Sequence, residues 1–178
     1  MPYSYITDFT YEDASGVTEP VTLAEAKTYI RVSGGSEDDL ITAMITRARQ
    51  AIERATSLAI VNKNVSVWFC NENGSFQLPY GPLTGTPVIT NNENALVLTT
   101  DEYKLIGGQF PVLKEPLLSD MKIVYTAGYA TVPEALKGAI LDQVNYIYEN
   151  RGANIDSLGF APKVATTVLQ WTRQSPIL

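Results

Sequence analysis

At 178 residues, with 45% hydrophobic and 18% charged content, the chain has the size and make-up of one folded domain with room for an insert. Its net charge of -6 argues against a protein whose main surface grips nucleic acid, since phosphate binding needs lysine and arginine patches, but leaves room for one that nucleic acid merely passes. Histidine is absent and Cys70 is the single cysteine, which removes the commonest general base, an intrachain disulfide and a thiolate zinc site. No signal peptide and no apolar run long enough to span a bilayer is present, so the chain reads as soluble and intracellular.

Residues 1–20 form a polar and aromatic arm in which Tyr3, Tyr5, Phe9 and Tyr11 alternate roughly as strand residues do. An edge strand, a disordered terminus and an arm that docks on a neighbour all fit this pattern. Thr22 is then a good N-cap, and Glu25 completes a capping box for a short helix over 22–31 lined by Leu23, Ala26 and Ile30. Ser33-Gly34-Gly35 breaks that helix, and Ser36 is positioned to cap the next, over 37–57. Glu37, Asp38 and Asp39 fill its first turn, where the helix dipole favours anions. Ile41, Met44 or Ile45, Ala48, Ile52 and Ala55 draw its apolar stripe.

From 62 to 127 the pattern turns to short β segments: Asn64–Cys70, Ser75–Leu78, Pro87–Thr90, Ala95–Leu98, Tyr103–Ile106, Val112–Leu113 and Lys122–Thr126. Asn73-Gly74, Tyr80-Gly81-Pro82, Thr84-Gly85, Asn91-Asn92 and Gly107-Gly108 give the turn signals between them. Spacing of this kind suits hairpins, hence an antiparallel sheet. Cys70 closes a strand-like run and reads as a small buried hydrophobe.

Lys122–Arg151 is the stretch around which the chain is organised. It starts as a strand through Ile123, Val124 and Tyr125. Pro133 then suits a first helical position and Glu134 its first turn, opening a helix over 133–150. Leu136, Ile140, Val144 and Ile147 recur at helical spacing, widened by Leu141 and Tyr148, with Gly152 available as a C-terminal cap. So apolar a helix must pack against other helices. Beyond it, Val164, Val168, Leu169 and Trp171 mark a C-terminal helix near 164–173. The expected fold is therefore α+β: a core of three to four helices with an antiparallel β insertion between the second and third. The expected division is an arm over 1–20, a connector domain over 21–152 with the insert at about 62–127, and a C-terminal segment over 153–178.

Few residues invite chemistry. Glu37-Asp38-Asp39 could be imagined as a metal or acid/base site, but with no second ligand cluster in view they read as first-turn acids. Gly34-Gly35-Ser36 lacks the lysine, spacing and strand context of a phosphate loop. Without histidine no serine can join a Ser-His-Asp triad. No catalytic, cofactor-binding or metal-binding residue is assigned. Arg31, Arg47, Arg49 and Arg54 read as a solvated basic flank with i,i+4 pairing or, alternatively, as a contact with an acidic neighbouring subunit. Trp171 is either tucked on the core or an anchor for a partner.

The order PVTLAEAKTYIRV, SEDDLITAMITRARQAIERATS, a strand-rich middle and VYTAGYATVPEALKGAILDQVNYIYENR resembles the head–tail connector proteins of long-tailed phages and prophages, also called adaptors or head-completion proteins. The resemblance covers residues 20–60 and 122–151; the β middle matches in kind and the two termini poorly. It implies a helical bundle with a β insertion. It also implies no enzymatic activity, no cofactor, and assembly as a homo-oligomeric ring beneath the portal, about twelvefold if it follows the portal's symmetry. The ring would sit in the virion neck, made in the host cytoplasm, contact the portal and a tail-completion or stopper protein, and continue the channel for double-stranded DNA without binding it specifically or touching a membrane. In relatives the C-terminal segment reaches toward the portal; carried here, the interface candidates are Val164, Val168, Leu169, Trp171, Ile177 and Leu178. Because acidic residues outnumber basic ones, 19 to 13, the channel wall is expected to be negative or neutral, with acidic residues of the insert loops or of the second helix start, such as Glu37, Asp38 and Asp39, as candidates. The rival readings are another neck or tail-completion component, or a non-viral α+β ligand-binding module or enzyme.

Overall fold

Two periodicities divide the chain, one near 3.6 and one of two residues, and the structure follows that division. The computed structural model describes residues 5–70, 75–91, 96–108, 110–114, 120–151 and 159–174. Among them lie four helices and seven strands, with six strands of the antiparallel sheets inserted between the second and third helices and one strand ahead of the first helix. The chain forms two compact units, each assembled from two separate stretches: residues 1–17 with 61–129, and 18–60 with 130–178.

The helical unit holds α1 (Leu23–Ile30), α2 (Asp38–Thr56), α3 (Glu134–Glu149) and α4 (Pro162–Gln174). Thr22 and Glu25 form the reciprocal capping box that the spacing predicts. Two other caps differ by one position. Glu37, not Ser36, is the N-cap of α2 and makes no side-chain capping bond. Pro133 is the N-cap of α3 rather than its first residue, because its extended ψ of 138° precedes the first helical turn. On α2, Ile41, Met44, Ile45, Ala48 and Ile52 are buried, and Ala55 is half-buried. α3 buries Leu136, Ile140, Val144 and Ile147, all four of the predicted stripe, and packs against α1, α2 and α4. Gly152, the expected cap beyond α3, lies outside the described residues.

The β unit contains a four-stranded sheet of order β1-β2-β7-β4: β1 (Tyr5–Asp13), β2 (Lys63–Cys70), β7 (Asp120–Ala127) and β4 (Leu83–Asn91). A three-stranded sheet of order β3-β6-β5 joins Ser75–Gln77, Val112–Lys114 and Lys104–Ile106. All pairings are antiparallel. Alternation buries Val65, Val67 and Phe69 on β2 and Met121, Ile123 and Tyr125 on β7, as period-two patterning requires. Phe69 stacks on Phe76 with ring centroids 4.0 Å apart, so the two sheets share a core.

Of the alternatives for the arm the edge strand is the one seen, and three other strand readings need correction. The segment 5–13 is an edge strand, while Tyr3 lies outside the described residues. Thr84-Gly85 is not a turn. It sits inside β4, where Gly85 takes a φ of 73° and the register shifts between Thr84 and Val88, so the punctuation marks a bulge. Of the strand expected over 95–98, the described part makes only the bridge Val97–Thr90. Cys70 is half-buried rather than buried, being the last residue of β2. A tight spot closes the sheet end: Gly128, at φ 155°, leaves no room for a Cβ, which would fall 2.4 Å from Asn62 Oδ1 and 2.8 Å from its Cα.

Candidate assembly surfaces

The acidic start of α2 was the first candidate surface, and local structure has already used much of it. Glu37 accepts a hydrogen bond from the Tyr148 hydroxyl at 2.6 Å and another from the Arg151 guanidinium at 3.0 Å. That guanidinium lies 4.4 Å from the centre of the Tyr148 ring, so it is held by cation–π attraction as well. Asp38 is ion-paired with Lys27, whose ammonium also donates to the Gly34 carbonyl. These contacts tie the α1–α2 turn and the end of α3 to one helix start. Asp39 is exposed.

The C-terminal candidates split by helix face. Val164 is fully buried and Val168 is 8% exposed, on the side of α4 packed against α2 and α3. Leu169 is 59% exposed and faces outward, whereas Trp171, one and two turns on from Val168 and Val164 along the same face, is half-buried. Ile177 and Leu178 lie outside the described residues. The approach to α4 is fixed by Gln143, a polar residue on the buried face of α3. Its side chain donates to the Gly159 carbonyl at 3.1 Å and accepts from the Ala161 N–H at 2.9 Å. Sequence reading missed Gln143; its place between Ile140 and Val144, on the stripe's own side, was the available signal.

The arginine flank also divides. Arg47 and Arg54 are exposed, and Arg31 closes α1 in the left-handed conformation, φ 58°. Arg49 does not belong to a solvated flank: it is 2% exposed. Its guanidinium donates to both carboxylate oxygens of Glu19 at 2.8 and 3.0 Å, and to Glu53 at 2.8 Å. Glu53 in turn accepts from the Ile60 N–H at 2.9 Å, and Glu19 from the Thr46 hydroxyl at 2.8 Å. The i,i+4 spacing of Arg49 and Glu53 was visible; the third member, thirty residues away, was not.

Chemistry is sparse. Among the described residues no group of three or more His, Cys, Asp or Glu side chains could hold a metal ion, and no helix is long and apolar enough to cross a membrane. An open cleft of about 640 Å³ on the helical unit is lined by Ala24, Glu25, Thr28, Tyr29, Arg31 and Leu141. Tyr29 donates to Asp142 at 2.6 Å, and because ionisation would lose that bond beside a carboxylate, its pKa is raised.

Residues 20–84 match the family model described as Phage gp6-like head-tail connector protein. No curated protein matches the chain. In fold the chain is similar to one in the neck of an empty gene transfer agent (GTA) particle computed with C6 symmetry, with TM-score 0.71 and 18% identity over 91% of this chain and 94% of the other. A chain from the virion of the native GTA particle gives TM-score 0.70 and 19% identity over 90% and 94%. One from the neck of the native GTA particle computed with C12 symmetry gives 0.66 and 17% over 91% and 94%. At such identities the likeness speaks of fold.

Proposed function

We propose, from the premise that the chain belongs through residues 20–84 to the phage gp6-like head-tail connector family, that it works as a ring of identical copies in the neck between a virion head and its tail. The family is one of structural connectors and not of enzymes. One observation carries the ring reading: the fold agrees over 91% of the chain with chains of particle necks computed with C6 and C12 symmetry, well past residue 84 where the family match ends. Identical copies related by a closed rotation make a heterologous contact, each using two different patches.

In this reading the copy number is about twelve, following the portal. The outward side of α4, with Leu169, meets the portal, and the opposite mouth receives a tail-completion or stopper protein. Double-stranded DNA runs through the hole. A net charge of -6 per copy favours a wall that repels phosphates and keeps the duplex centred, within a screening length of roughly 10 Å at 0.1 M salt. Of the three candidate acids, Asp39 is the exposed one.

Electron microscopy of the assembled particle tests the ring: concentric copies at the neck support it, and a single off-axis copy refutes it. A gel-shift titration tests the wall. Weak duplex binding at physiological salt is expected; tight binding that falls steeply with added salt would reveal a basic phosphate-binding surface instead.

A further inference from the structure

The β unit exposes two surfaces of opposite sign. In the three-stranded sheet, Lys104 lies directly opposite Lys114, both exposed. Among the described residues neither lysine makes an ion pair or hydrogen bond. Like charges set opposite each other across an antiparallel pair repel. One lysine is enough to discourage stray pairing at a sheet edge, so a facing pair is a cost the sheet alone does not explain. Ile106, two residues along β5 and thus on the same face, is 49% exposed beside them.

The second surface is the outer face of the four-stranded sheet, starting at its open edge. Strand β1 carries Asp8 and Glu12, both exposed, and no basic residue; further in on the same face, half-buried Lys122 is held over the Trp68 ring at 4.6 Å. The register Thr10–Ser66–Val124–Val88 runs across this same face, and it leaves Val124 38% and Val88 50% exposed.

We propose that these two surfaces are the halves of one interface between copies of this chain, the Lys104–Lys114 face of one copy docking on the acidic β1 edge of the next. The proposal rests on the ring reading above. A heterologous contact needs two different, complementary patches on every copy, and here each patch carries a pair of like charges on a sheet face that also exposes apolar side chains. Phosphates would ask for lysines alone; an isoleucine next to them, and on the other face exposed valines two and three strands in from the acids, is the composition of a protein contact.

The test uses full-length chains supplied to assembling particles, with incorporation measured by quantitative mass spectrometry and rings viewed by electron microscopy. K104E/K114E and D8K/E12K should each lower incorporation roughly tenfold or more, because like charges then meet across the contact. The four changes combined should restore it. Urea midpoints confirm that each variant folds, and K104A/K114A serves if a reversal does not. Folded K104E/K114E chains that incorporate as the wild type does would overturn the interface, as would a combined variant no better than either pair. Loss of duplex DNA binding by K104E/K114E with rings intact would also overturn it and assign the lysines to DNA. Wild-type particles without a ring would instead refute the functional reading itself.

Discussion

In the helical unit, Arg49 is closed between Glu19 and Glu53, Lys27 is paired with Asp38, and Glu37 is held by Tyr148 and Arg151. In the β unit, Lys63 is paired with Asp13, but Lys104 faces Lys114, and Asp8 and Glu12 line an open edge. The first unit uses charge to hold its own elements in register. The second turns part of its charge outward, where it stabilises nothing internal. Helices joined by turns need specific cross-links to fix their relative positions, whereas paired strands are already fixed by their backbone ladder. A sheet can therefore leave its side-chain charges for a partner.

Removing Arg49 should break that contrast most severely. Arg49→Ala strands two carboxylates, one of them buried, and should cost about 3–5 kcal/mol in urea unfolding. Arg49→Ala with Glu53→Ala should cost less than the two single changes added together, since the pair is removed as a unit. A loss under about 1 kcal/mol would mean that the network is solvated like a surface pair. Ile140→Ala should follow, costing about 2–5 kcal/mol at its fully buried position. An unchanged urea midpoint would place Ile140 on the wrong face of α3.

On the β side, Gly128→Ala should cost about 1–3 kcal/mol from backbone strain, with more from the contact on Asn62, and is read by thermal unfolding. No loss would show that the sheet end can yield. Thr22→Ala should cost about 1 kcal/mol by undoing the capping box. The smallest effect is pH-dependent. Hydrogen bonds from Thr22 lower the Glu25 pKa, so its stabilising contribution is present above the ordinary carboxylate range and fades as pH falls through the lowered value. The difference between wild type and Thr22→Ala should shrink there; a gap that widened on acidification would contradict the carboxylate's role.

The helices were legible because an apolar stripe and a cap are local signals: Leu136, Ile140, Val144 and Ile147 announce α3 without any knowledge of its neighbours. The antiparallel character of the sheets was legible from spacing, but their order was not, since nothing local pairs Tyr11 with Val65 across more than fifty residues. Gly85 was misread because a bulge and a turn both call on a glycine with positive φ. Arg49 was misread because its i,i+4 partner suits a surface pair as well as a buried one; Glu19, far away in sequence, is what turns it inward. The candidate surfaces suffered most. Val164, Val168 and Trp171 carry one period with Leu169 beside it, and only packing tells that Leu169 is the one left outside.

The interleaving of the two units bears on how the protein is made. Strand β1 is synthesised first, yet its ladder partner among the described residues, β2, begins at Lys63. Helices α1 and α2 likewise emerge long before α3, against which both pack. Neither unit can complete itself until the ribosome has passed residue 120, because β7 is the central strand linking β2 to β4 and α3 follows it. Most of the closing contacts therefore join residues distant along the chain, an arrangement that slows folding. During that wait the α2 stripe has no native cover, which makes the nascent chain a natural client for chaperones.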